Sequence, residues 1–69
     1  MTIKFLDLDG DPALLDERED GRAYAWVKYE DGEWTKINVA DVVFEARVLD
    51  EKKFKERFPD AGQPEGLSK

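Results

Sequence analysis

Seven carboxylates crowd the first 21 residues: Asp7, Asp9, Asp11, Asp16, Glu17, Glu19 and Asp20, against only Lys4 and Arg18. Carboxylates at that density could bind a cation, exchange protons with a substrate, or present an anionic face to a basic partner. A second group is aromatic: Tyr24, Trp26, Tyr29 and Trp34, with Lys28 and Lys36 between them. Rings interleaved with cations are the material of interface hot spots and aromatic cages. The chain has no His and no Cys. That excludes disulfides, thiolate or imidazole metal sites, and His- or Cys-centred catalysis.

The carboxylates suggest chemistry first. Ile3-Lys4-Phe5-Leu6-Asp7-Leu8-Asp9-Gly10 resembles the first motif of haloacid-dehalogenase-like phosphatases, a hydrophobic strand ending in Asp-x-Asp-Gly-Thr. In that family the first Asp attacks phosphorus and the second handles leaving-group protons. The resemblance covers about eight residues, and Asp11 stands where the family has Thr. The family also needs a doubly wound α/β core, a phosphate-binding Lys and further metal-binding carboxylates, more than 69 residues supply. No nucleophile role is carried to Asp7. A calcium loop of the EF-hand type fails too, because aligning Gly10 with its glycine puts Phe5 at the first ligand position, where oxygen is required. A calcium site of another kind would draw on Asp7, Asp9, Asp11 and Asp16. For nucleophilic catalysis the chain offers only Ser68, Thr2 and Thr35, with no imidazole base, and a two-carboxylate cleft needs a larger body. The expectation is a protein that is not an enzyme and holds no metal or cofactor.

Charge narrows the partners. The formal net charge is −6 over 69 residues, and nearly all of the imbalance falls in the first third. A field of that sign repels phosphate backbones and anionic lipids, so neither nucleic acid nor membrane is expected to bind directly. No apolar run approaches the ~20 residues of a membrane span. The first residues also lack the 7–15-residue apolar core of a signal peptide. The cytoplasm is the expected location.

The elements that must position these groups are partly legible. Residues 3–8 read as a strand with Ile3 and Phe5 on one face, punctuated by Asp9-Gly10. Residues 11–20 are ambiguous. Asp11-Pro12 with Gly21 past the end suits a short helix or one helical turn. The competing pattern is a strand over 14–18 turned by Asp20-Gly21 into the next one. Adjacent Leu14 and Leu15 do not decide between them by periodicity.

Residues 22–30 and 33–39 are rich in aromatic and β-branched side chains, with Asp31-Gly32 between them, the signal of a hairpin. A two-residue loop pairs Tyr29 with Trp34 and Trp26 with Ile37. A three-residue loop shifts the pairing by one, putting Val27 with Ile37 on one face and Trp26 with Trp34 on the other. Residues 41–49 alternate apolar and polar with β-branching and read as a strand. Asp50 then caps a helix over 51–58, with Phe54 and Phe58 on one face and the basic Lys52, Lys53, Lys55 and Arg57 toward solvent.

The expected fold is α+β: a small antiparallel sheet of three to four strands around a central Asp-Gly hairpin, with one short C-terminal helix packed on one face. Residues 1–58 form the single domain, and 59–69 a disordered, flexible tail. A lone helix covers only one sheet face, so the other is left for the N-terminal segment, a second copy or a partner. Function is then expected to lie in protein binding or self-association through a sheet face or edge, using Tyr29, Trp34 and Lys36. The alternative is an acidic nucleic-acid mimic, an inhibitor of phage type, filling a basic groove with residues 7–20 and above all with Asp16, Glu17, Glu19 and Asp20.

Overall fold

The computed structural model describes residues 2–30 and 32–64. Its first turn is tight. Asp9 and Gly10 both take positive φ, +51° and +91°, the backbone that a two-residue type I′ hairpin requires. Asp7 Oδ1 accepts the Gly10 N–H at 2.7 Å and fixes the turn. On either side, strands β1 (Thr2–Leu8) and β2 (Asp11–Glu17) pair antiparallel from Leu8 opposite Asp11 to Thr2 opposite Glu17. The helix or helical turn expected after Asp11-Pro12 is therefore replaced by the competing strand. Leu14 and Leu15 are adjacent because each anchors a different face of a strand buried on both sides. Pro12, which has no N–H, is tolerated because the ladder to the next strand begins only at Ala13.

Strand β3 (Ala23–Lys28) pairs with β2, and β4 (Trp34–Ile37) pairs with β3. Lys28 lies opposite Trp34, Trp26 opposite Lys36, and Ala25 opposite Ile37. This is the shifted register. It overturns the pairing of Tyr29 with Trp34 and puts Val27 and Ile37 on one face, Trp26 and Trp34 on the other. Asp31 lies outside the described residues, and with it the form of the Asp31-Gly32 turn.

The stretch 41–49, expected as a strand, divides. Asn38 accepts the Ala40 N–H at 2.9 Å and starts helix α1 (Val39–Glu45), after which Arg47–Leu49 form β5 beside β1. The alternation of 41–49 gives way because a cap and a buried anchor, Val42, satisfy the helix. Helix α2 (Glu51–Arg57) starts at Asp50, which accepts the Lys53 N–H at 2.7 Å.

The result is α+β, with a five-stranded antiparallel sheet in the order β4-β3-β2-β1-β5 and two helices, in place of three to four strands and one helix. The β3–β4 pair is at the edge of the sheet, not its centre.

The two helices take opposite faces. On the first, Leu6, Ala13, Leu15, Ala25 and Val27 pack with Val42 of α1. On the second, Leu14 packs with Phe54 of α2 and with Ala61, flanked by Ile3, Phe5, Trp34, Leu49 and Phe58. The Phe54 ring lies 5.1 Å from Phe5 and 5.3 Å from Phe58, centroid to centroid. An ion pair between Arg57 Nε and Asp7 Oδ2, 2.8 Å, ties α2 to β1. The face that a lone helix leaves open, or to the N-terminal segment, a second copy or a partner, is covered by α1, which supplies the second layer. Residues 59–64, assigned by composition to a tail, return across the second face and bury Ala61 and Pro64. Residues 65–69 lie outside the described residues.

Candidate functional site

Strand alternation gathers the aromatic and cationic residues of β3 and β4 on the second face. Tyr24, Trp26 and Lys28 of β3 share it with Trp34 and Lys36 of β4. Trp26 is 7% exposed and forms the floor. Trp34 is half-buried, and its Nε1 donates to the Ala61 carbonyl at 3.0 Å. Lys28 Nζ donates to the carbonyls of Asp60, 3.1 Å, and Ala61, 2.8 Å. Lys36 is exposed, with Nζ 4.3 Å from the centre of the Tyr24 ring, and the Arg18 guanidinium stands 4.5 Å from the same ring. Each cation–π contact of this kind is worth about 0.5–1 kcal/mol at an exposed site.

Because rings and a wrapped segment do not tile a sheet evenly, openings remain. One of about 450 Å³ is lined by Trp26, Glu33, Trp34, Lys36, Gln63 and Pro64. A more apolar one of about 650 Å³ runs between β1, β2 and α2, past Phe5, Leu14, Phe54 and Phe58. A shallower one of about 350 Å³ brings Tyr29 beside Pro59 and Ala61. Of the three residues singled out from sequence, Trp34 and Lys36 share one opening. Tyr29, 45% exposed beyond the end of β3, borders a different one.

The acidic set is dispersed. Asp16 is fully buried on the second face, with Oδ2 3.2 Å from Arg18 Nε, so it does not belong to an accessible anionic surface. Glu17 pairs with Lys4 at 3.1 Å, and Asp20 with Arg22 at 3.4 Å. Glu19 is exposed. Asp7, at the position matching the phosphatase nucleophile, is held by the Gly10 N–H and Arg57. Among the described residues no group of three or more carboxylates converges as a metal site. Asp7 and Asp16 are kept apart by the ladder, opposite Pro12 and Ile3 respectively.

Sequence reasoning places Lys28 among the rings of the aromatic set but misses Ala61, Gln63 and Pro64 as parts of this region. The available signal was the pair of prolines and small residues after α2, which composition alone assigns to a tail. No helix among the described residues is long and apolar enough to cross a membrane. Comparison with family models, curated proteins and solved structures finds no match to this chain.

Proposed function

We propose that this is a non-enzymatic, cytoplasmic protein-binding module that engages its partner with the β4 side of the second face. Trp34 and Lys36 provide the central contacts, and Tyr29 flanks them. The observation that carries the reading is the opening of about 450 Å³ with indoles for a floor and Lys36 at its rim, on the outermost strand of the sheet. A half-buried Trp beside a pocket is the side chain that anchors interfaces, and an edge strand offers main-chain hydrogen bonds as well.

The acidic-mimic alternative draws less support. Asp16 is buried, and Glu17 and Asp20 already have cationic neighbours. Capture from native lysate on the immobilised protein separates the two. The proposal expects a bound protein that is lost with Trp34→Ala or Lys36→Glu and kept with Glu19→Gln/Asp20→Asn. The reverse pattern, with binding that collapses between 50 and 200 mM salt, overturns it in favour of the acidic surface.

A further inference from the structure

The segment after α2 is bound the way a ligand is bound. A turn closed by the Ala61 N–H on the Phe58 carbonyl, 3.2 Å, lifts the chain off the helix. Gly62, at φ +68°, redirects it across the second face to Pro64. Three hydrogen bonds hold it there, and all end on main-chain carbonyls. Lys28 Nζ reaches those of Asp60 and Ala61, and Trp34 Nε1 reaches that of Ala61. The side chains it buries are a methyl group and a pyrrolidine ring, Ala61 and Pro64.

Contacts of this kind transfer to other chains. A segment that reproduces this turn, presenting two successive carbonyls and a small side chain ahead of a proline, satisfies the same donors and the same indole surface. Aromatic grooves with an indole N–H aimed at a carbonyl are a recurrent means of holding proline-bearing peptides.

We infer that the groove formed by Lys28, Trp26 and Trp34 is a binding site for a turned, proline-containing segment of a partner protein, and that residues 59–64 occupy it as an internal competitor. The inference rests on the reading of this face as the binding surface. It adds the chemistry of the occupant and a reason for restraint. The opening beside Pro64 lets an incoming chain run on past Trp26 toward Lys36. Because the internal segment is tethered, it competes at an effective concentration in the millimolar range. A free peptide sees the groove only in the fraction of molecules whose own segment has lifted.

The test uses the full chain, labelled with ¹⁵N, and a synthetic peptide spanning residues 58–64 added in trans. Binding is followed at the indole N–H signals of Trp26 and Trp34. Two variants displace the internal segment and leave the groove unchanged. Ala61→Arg puts a long cationic side chain where a buried methyl packs. Gly62→Pro forbids the positive φ at an exposed position with open space around it, so it keeps the test alive if the first variant fails to fold. Expected is weak binding to the natural chain and binding at least about tenfold tighter to the variants, with the Trp34 indole signal moving most. A peptide carrying Ala61→Arg should not bind.

Equal affinity for natural and variant chains overturns the inference. So does an unmoved Trp34 signal at saturating peptide in a folded variant. Concentration-dependent dimers of the variants would mean that copies exchange the segment with one another, which also overturns a partner peptide as occupant. The two readings fail separately. A Trp34-dependent partner with no peptide binding leaves the functional proposal standing and this inference fallen. Peptide binding with no Trp34-dependent partner does the opposite.

Discussion

The two faces of one sheet are closed by different chemistry. The first is aliphatic and fine-grained: Ala13, Ala25 and Val27 leave no side chain exposed, and Leu6 and Leu15 complete the floor. Over so smooth a surface a seven-residue helix with one fully buried anchor, Val42, is enough. The second face is made of rings and charges, with Phe5, Tyr24, Trp26, Trp34 and Lys36 spread over four of the strands' breadth. Helix α2 docks through Phe54 against Phe5 and Leu14, and its seven residues do not reach across to β4. The openings of about 650 and 450 Å³ follow from that mismatch, and residues 59–64 fill part of it. A domain of this size closes one face with small residues and leaves a face of rings as its open side.

Substitutions can break the contrast or sharpen it. The largest effect is expected from Val42→Asp, which places a carboxylate among Ala13, Ala25 and Val27. The loss should exceed about 4 kcal/mol and unfold much of the population, read by far-ultraviolet circular dichroism. A folded, little-changed protein would mean that α1 does not seal the first face. Phe54→Ala removes the ring shared by Phe5 and Phe58, and should lower stability by about 3–5 kcal/mol in a urea titration. A loss below about 1 kcal/mol would show α2 undocked from the second face.

Next come the two caps. Asn38→Ala and Asp50→Ala should each cost about 1 kcal/mol, since each side chain satisfies a helix N–H. A neutral Asn38→Ala would argue that 39–45 is not helical. The smallest effect is reserved for Phe44→Asp. Phe44 is 86% exposed, so stability should stay within about 0.5 kcal/mol of the natural chain, two residues from the position where Asp is ruinous.

Much of this architecture was readable where one physical signal acted alone. The β1 alternation, the Asp50 cap and the Phe54/Phe58 pair each have a local cause, and each is found in the structure. What sequence misjudged depends on partners far along the chain. Asp11-Pro12 resembles a helix start until β1 and β3 are present on either side to bury residues 13–16. Residues 41–49 alternate like a strand, yet what decides is whether Val42 finds a floor, and that floor is built by β1, β2 and β3. The register of β3 with β4 turns on loop length, which the residues of the loop leave open.

The site was half visible. Trp34 and Lys36 stood out by type, and the structure does bring them to one opening. Tyr29 did not join them because the shifted register moves it off the ladder. Ala61 and Pro64 carry no functional group, so their place on the groove is legible only once the chain is seen to fold back. Asp16 shows the converse. By type it belongs to an acidic surface, but as an inner residue of a central strand it is buried beside Arg18.

The central claim is that Trp26 and Trp34 share one face and that residues 59–64 lie across it. Nuclear Overhauser contacts of the two indoles in the full chain test it most directly. The Trp34 ring N–H should show contacts to the Ala61 methyl, and Trp26 to Leu14, its neighbour across the ladder. Contacts from Trp34 to Tyr29 as its cross-strand partner, with none to Ala61, would contradict both the register and the covered groove.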